Sequence, residues 1–240
     1  MRIALLGYGR MGHETEKAAE ELGYSIVLKT DIDNSSDFNS DTASLCDVAI
    51  EFTGPEAAAD TIIRALEYGI PVVSGSTGWL SRYDEVTDIC HARNGSFIHS
   101  SNYSIGVNIL FRLNEELARI LSAIPGYSAS IEEIHHTRKL DAPSGTAISL
   151  ASGIVAGDTK YKGWRKAGEH DAEPGLIPVT SVRQGDVTGM HTVSWRSGND
   201  IISLRHEALN RRGLAEGAII AAEYIHNRKG VFTMADILNI

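Results

Sequence analysis

The sequence predicts an α/β protein in two parts, a parallel-sheet half followed by an α+β half whose sheet is mixed or antiparallel. Three observations carry this. Short apolar runs alternate with helix-period segments over the first hundred residues, three glycines stand at the first strand-to-helix junction, and three strand-like runs joined by short turns crowd the second half. Repeated strand, helix and strand require a parallel sheet with right-handed crossovers. Strands joined by short turns run antiparallel.

Ile3-Ala4-Leu5-Leu6 is an apolar run ending in glycines, which suits a strand buried on both faces. A helical pattern through Ala18, Ala19 and Leu22 follows, and Gly23 is placed to stop it. Further strands are expected over 25–29, 48–52, 71–74 and 96–99, with helices over 57–68, closed by Gly69, and 83–93. The pattern then changes to a long amphipathic helix over 105–124, an alternating strand over 128–134 and a short helix over 146–155. After a polar stretch, 157–175, come strands over 177–183, 190–196 and 201–208, a helix over 214–228 and a short tail to Ile240.

A chain of 240 residues has ample length for a buried core, and 42% apolar with 22% charged residues is ordinary for a globular protein. The formal net charge of −9 repels nucleic acid and anionic membranes, so neither is expected as a partner. An anionic ligand must instead be captured by a local group of cations. Cys46 and Cys90 lie far apart without metal-ligand spacing, so a reduced protein with no metal is expected. No apolar run approaches the ~20 residues of a membrane span, and the apolar start is too short for a signal peptide. These features lead to an expectation of a soluble, cytoplasmic protein.

Gly7-Tyr8-Gly9-Arg10-Met11-Gly12 fits G-x-G-x-x-G directly after a strand and at the opening of a helix. The first glycine permits the tight turn, the second lets a pyrophosphate approach the backbone, and the third lets helix and strand pack closely. The helix N-terminus supplies amides and a favourable dipole. Asp31, about 20 residues on at the end of the second strand, is placed to accept the ribose hydroxyls, with Asp33 a near competitor. The front part therefore reads as a Rossmann-type dinucleotide-binding domain over 1–104. The loop residues Gly75, Ser76 and Thr77, and Ser100, Ser101, Asn102 and Tyr103, leave the ends of strands where such a sheet binds its ligand. They are candidate nicotinamide contacts, with plain loops as the alternative.

Residues 135–147 gather His135, His136, Arg138, Lys139, Gly145 and Thr146. Alternation over 128–134 places His135 and His136 at a strand end on opposite sides. Asp141-Ala142-Pro143-Ser144-Gly145-Thr146 resembles a cap and first helical turn, whose amides can hold a carboxylate, and Lys139 adds a point charge. Histidines, a lysine and an anion-binding turn within a dozen residues suit a small dianionic substrate. A surface histidine pair beside solvated cations is the alternative.

These motifs resemble the 4-hydroxy-tetrahydrodipicolinate reductase (dihydrodipicolinate reductase) family nearly end to end. The matching landmarks are Gly7 to Gly12, Glu51-Phe52-Thr53, Gly75-Ser76-Thr77-Gly78, the run 101–108, His135-His136 through Ala147, and Ser181-Val182-Arg183-Gln184-Gly185 with Gly189 and His191. The resemblance implies that NAD(P)H delivers a hydride to a cyclic imine dicarboxylate in lysine and diaminopimelate biosynthesis. It implies His135 as proton donor/acceptor, Lys139 as a second proton donor, and His136, Gly145 and Thr146 as holders of the substrate carboxylates. It further implies a homotetramer built through a substrate-binding and oligomerisation domain over 105–213, with the C-terminal 214–240 returning to the nucleotide domain. The chain is somewhat short for the family, with the deletions expected between Ile32 and Asp47.

Asp31 favours NADH, and neither Ile32 nor Asp33 offers a cation, although Arg10 or Lys29 could reach a 2′-phosphate. NADH is expected to be preferred or equal, with NADPH used. Two other readings stand beside this one. Another two-domain nicotinamide-dependent dehydrogenase would need its own catalytic lysine after the fourth strand, where this chain has Ser74-Gly75-Ser76-Thr77. A catalytically silent NAD-sensing protein would have an eroded cluster in its second part.

Overall fold

The computed structural model describes residues 1–168 and 173–240, and divides into two compact units, Met1–Ile105 with Arg211–Ile240, and Gly106–Asn210. The first unit is built on a six-stranded, wholly parallel sheet. Its strands are β1 (Arg2–Leu6), β2 (Ser25–Thr30), β3 (Val48–Glu51), β4 (Val72–Ser74), β5 (Ser96–His99) and β11 (Gly230–Phe232), in the order β11-β5-β4-β3-β1-β2. Helices α1 (Arg10–Glu21), α3 (Ala58–Glu67), α4 (Tyr83–Ala92) and α7 (Arg212–His226) supply the crossovers and cover the sheet. Two apolar clusters show why the strands read as continuous apolar runs. One joins Ala4, Leu6, Phe38, Ile62, Trp79 and Phe97, and the other Ile3, Leu5, Ala19, Val48, Ile219 and Ile225. Alternate residues of one strand thus enter different cores, as a sheet covered on both faces demands.

Segments expected as loop or tail carry further structure. The region after β2 holds a 3₁₀ turn, Ile32–Asp37, and the short helix α2 (Ser40–Ala43). The C-terminal tail adds β11 to the sheet beside β5 and ends in α8 (Met234–Leu238). Three residues as short as Gly-Val-Phe give no period to read, and only the open edge of β5 makes them a strand.

The second unit packs α5 (Ile105–Ser122, whose first residue belongs to the first unit) and α6 (Gly145–Gly157) on a five-stranded mixed sheet. Its strands are β6 (Ser128–His135), β7 (Gly163–Lys166), β8 (Leu176–Arg183), β9 (Gly189–Arg196) and β10 (Ile201–Ala208), in the order β10-β9-β6-β8-β7. Strand β7 lies inside the polar stretch 157–175, of which 169–172 fall outside the described residues. The three successive strands do run antiparallel, each to the next, but not all of them pair. β9 and β10 do pair antiparallel, but β8 and β9, joined by a short turn, are not neighbours, because β6 lies between them. β6 is parallel to β8 and antiparallel to β9. The turn after β8 therefore bridges the end of β6, with Gln184 N donating to His135 O (2.8 Å) and Thr137 N to Gly185 O (3.1 Å). The core beneath joins Leu110, Leu121, Ile131, Leu150, Val179 and Trp195. Among the described residues no helix is long and apolar enough to cross a membrane.

Candidate active site

In the first unit the glycine loop does what its spacing requires. Gly7 has φ +95°, and a side chain there would run into the Phe52–Thr53 backbone; its amide and that of Tyr8 both donate to Thr30 O at 2.9 Å. Among the described residues nothing lies within 4 Å of where a Gly9 side chain would begin, and no side chain caps α1. The first-turn amides of Arg10, Met11 and Gly12 thus face a place where a phosphate can come close. Asp31 is exposed at the end of β2 and caps the 3₁₀ turn, accepting from Ile32 N at 2.9 Å. Asp33 is exposed within that turn. Beside them a cavity of about 310 Å³ is lined by Leu6, Thr30, Phe38, Ala57, Thr61 and Arg64, among others. Glu56 and Asp60 also line it, and its size suits an adenine ring. These features fit a dinucleotide.

The two loops beyond the strand ends are organised by a carboxylate that the sequence reading carried only as a family landmark. Glu51 is wholly buried at the end of β3. Its Oε1 accepts from Thr53 N, Thr53 Oγ1 and Ser76 Oγ, and its Oε2 from Ser74 Oγ, each at 2.6 Å. Gly75 has no room for a side chain against Phe52, and Thr77 is exposed. Ser100 Oγ donates to Asn102 O at 2.7 Å, and Ser101 and Asn102 are half-buried. Tyr103 is buried, its hydroxyl donating to Ser74 O at 2.8 Å, so its side chain serves the loop framework.

In the second unit His135 and His136 do stand at the strand end, His135 buried and His136 half-buried. Ala129, Ile131, Glu133 and His135 share the inward register of β6, so the chain buries a carboxylate two residues before the histidine. Glu133 Oε2 accepts from Ser144 N (3.0 Å) and lies 3.5 Å from His135 Nδ1 and 3.8 Å from His191 Nε2. Glu133 Oε1 accepts from Arg183 Nη2 at 3.2 Å. The same guanidinium donates to the carbonyls of Lys139 (3.3 Å) and Asp141 (2.5 Å), and Lys139 Nζ pairs with Asp141 Oδ1 at 2.8 Å. Ser144 caps α6 by accepting from Ala147 N, and its hydroxyl meets His191 Nε2 at 3.2 Å. This cap holds Gly145 and Thr146 in the first helical turn.

Burial pushes His135 down from 6.5 to about 4; Glu133 works against that, and Lys139 and Arg183 reinforce it. Burial, with His135 beside it, pushes His191 down to about 3. Both rings are therefore neutral in the free protein at pH 7. Burial raises the Glu133 carboxyl, but hydrogen bonding from Ser144 and the nearness of His135 outweigh it and hold it below its ordinary value. Glu133, His135 and His191 have donor atoms within 4.8 Å of one another, a set found in zinc sites. Here Arg183 already balances the carboxylate, and a divalent ion would meet that fixed cation.

The sequence reading assigned no role to Glu133, Arg183 or His191. Alternation was the available signal for Glu133, since it continues the register of Ala129 and Ile131. Arg183 and His191 come from strands that only the β6-centred order makes neighbours. Arg64 was also missed; it lines the cavity and donates to Ser35 O at 3.5 Å. Lys29 is engaged with Glu16 (3.0 Å) and the Tyr8 ring.

The chain matches two family models, "Dihydrodipicolinate reductase, N-terminus" over residues 1–103 and "Dihydrodipicolinate reductase, C-terminus" over 106–238. It is 45% identical over 240 residues to a 4-hydroxy-tetrahydrodipicolinate reductase of Christiangramia forsetii, covering 100% of this chain and 98% of that one. To the enzyme of the same name from Neisseria meningitidis serogroup B it is 30% identical over 238 residues, covering 97% and 87%. In fold it is similar to a dipicolinate-bound dihydrodipicolinate reductase from Paenisporosarcina sp. TG-14, with a TM-score of 0.76, 22% identity and 97% of each chain covered.

Proposed function

The chain belongs to the dihydrodipicolinate reductase family, and from that premise we propose that it reduces 4-hydroxy-tetrahydrodipicolinate to tetrahydrodipicolinate with NAD(P)H, releasing water, in diaminopimelate and lysine biosynthesis. The observation that carries the reading is the second unit's cluster: a buried, neutral His135 beside a capped, anion-holding turn and Lys139.

Unit by unit, the roles are these. Residues 1–104 with 214–240 form the dinucleotide-binding domain, in which Gly7, Tyr8, Gly9, Arg10, Met11 and Gly12 take the pyrophosphate and Asp31 takes the ribose. Gly75, Ser76, Thr77, Ser100, Ser101, Asn102 and Tyr103 form the nicotinamide loops. NAD(P)H supplies the hydride when bound. Residues 105–213 hold the substrate, whose carboxylates take His136, Gly145 N, Thr146 and the Lys139 charge. The substrate's two negative charges favour the imidazolium, so His135 takes up a proton on substrate binding and hands it to the carbon where electron density builds. Lys139 is the second proton donor. NADH is preferred or equal, because Asp31 opposes a 2′-phosphate. A homotetramer in the cytoplasm belongs to the same reading, and light scattering on the purified protein measures the assembly.

The test is oxidation of NADH and NADPH with freshly generated dihydrodipicolinate synthase product, which another dehydrogenase or a silent sensor would ignore. His135→Gln is expected to lower kcat on the order of 10²–10⁴-fold. Near-normal turnover in the folded variant would remove His135 as the acid.

A further inference from the structure

We propose that Glu133 is the positioning residue for His135: its carboxylate fixes the ring with a proton on Nδ1 and presents Nε2 as the edge that exchanges a proton with substrate. This rests on His135 as the proton donor, and the measurements below separate the two ideas.

Three features of the buried cluster carry the inference. Glu133 Oε2 lies 3.5 Å from His135 Nδ1, and that nitrogen has no hydrogen-bond partner among the described residues. An ionised carboxylate can only accept, so it repels an imidazole lone pair and attracts an N–H. Secondly, the ring is boxed in. His191 packs edge-on to it, with centroids 5.0 Å apart and planes at 71°. A side chain on Gly189 would begin 3.2 Å from His135 Nε2, so glycine keeps room at that edge. Thirdly, the same carboxylate binds the rest of the site. Its Oε2 takes Ser144 N, where the anion-holding turn begins, and its Oε1 takes Arg183, which grips the Lys139 and Asp141 carbonyls. One buried group thereby sets the acid, the lysine loop and the carboxylate turn in one frame.

Among the described residues, the charged and titratable groups around His135 are Glu133 on its own strand, Lys139 and Asp141 on the following loop, Arg183 on β8 and His191 on β9. Glu133 and Asp141 favour the protonated ring; Lys139 and Arg183 oppose it. Removing the Glu133 charge therefore makes the imidazolium harder to form.

The direct test needs no substrate. Ring ¹⁵N shifts of the free protein, with His135 assigned by its loss in His135→Gln, are expected to show a neutral ring protonated at Nδ1. A ring protonated at Nε2 overturns the proposal. In kinetics, Glu133→Gln should lower kcat on the order of 10²–10⁴-fold with KM changed far less, as loss of an orienting carboxylate does elsewhere. The limb on which kcat falls with rising pH should move down by about 1 pH unit. Glu133→Asp, which keeps the charge, should return that limb towards the wild-type pH. A wild-type limb in folded Glu133→Gln overturns the proposal; if that variant does not fold, the wild-type ¹⁵N result decides. Failure of the wild-type protein to oxidise NAD(P)H with the synthase product would instead sink the functional reading and leave the ring measurement standing.

Discussion

Glu51 and Glu133 are both wholly buried carboxylates at the ends of strands, yet they are neutralised in different ways. Among the described residues Glu51 meets neutral donors, four hydrogen bonds from two serines and a threonine. Glu133 meets a guanidinium, a backbone amide and two imidazoles. Neutral donors hold a charge without changing state themselves, so Glu51 suits a framework that must stay still beneath the 74–78 and 99–103 loops. Imidazoles can gain and lose protons, so Glu133 sits where its charge can be read by a titrating neighbour. The same residue type, equally buried, meets fixed neutral donors in one unit and titratable rings in the other.

The largest effect is expected of Glu51→Gln. Its amide cannot accept all four bonds, and each buried donor left unpaired costs about 1–3 kcal/mol. Calorimetry should show a Tm lower by about 5–10 °C, with KM for the cofactor raised and the pH limb of kcat in place. A moved limb would mean that Glu51, too, communicates with the acid.

A smaller effect comes from pH. His135 and His191 have folded values below their ordinary 6.5, at about 4 and about 3. The folded state then binds fewer protons than the unfolded one, so stability is full above about pH 6.5 and is lost as pH falls towards 4 and 3. Each such histidine contributes about 1.4 kcal/mol per pH unit in that window. His99, lowered by burial in the first unit, acts in the same direction. Thermal unfolding from pH 7 to 4.5 should show a shallower loss in His135→Gln than in wild type. Equal slopes would mean that the ring is already charged when folded.

The smallest effect concerns cofactor choice. Arg64 is the cation that the structure adds to the cavity near Asp31, so Arg64→Ala should weaken binding of adenosine 2′,5′-bisphosphate more than that of 5′-AMP. The difference should be threefold to tenfold, at most about 1.4 kcal/mol. Titration calorimetry measures it, and equal losses would show that Arg64 serves the ring or the loop.

Much of this was legible in the sequence because it is local. The glycine loop, the strand bearing His135 and the cap before Gly145 each depend on a few neighbouring residues. What escaped is non-local. Arg183 and His191 reach Glu133 only because β6 lies between β8 and β9, an order that short turns alone do not announce. Arg64 sits on a helix whose apolar face is read easily, while the loop it touches is set by Ser35, 29 residues earlier. Glu133 itself was accessible, since it continues the inward register of Ala129 and Ile131.

The discontinuity of the first unit has a consequence for biosynthesis. α7 and β11 complete its sheet and one of its cores, with Gly217 so close to the Tyr103 backbone that no side chain fits between. Residues 106–210 are made between these pieces. At about 5–20 residues per second the nascent N-terminal half waits roughly 5–20 s with one sheet face bare. For that interval Ile3, Leu5, Val48 and Ile50 lack the α7 residues that share their core in the folded protein.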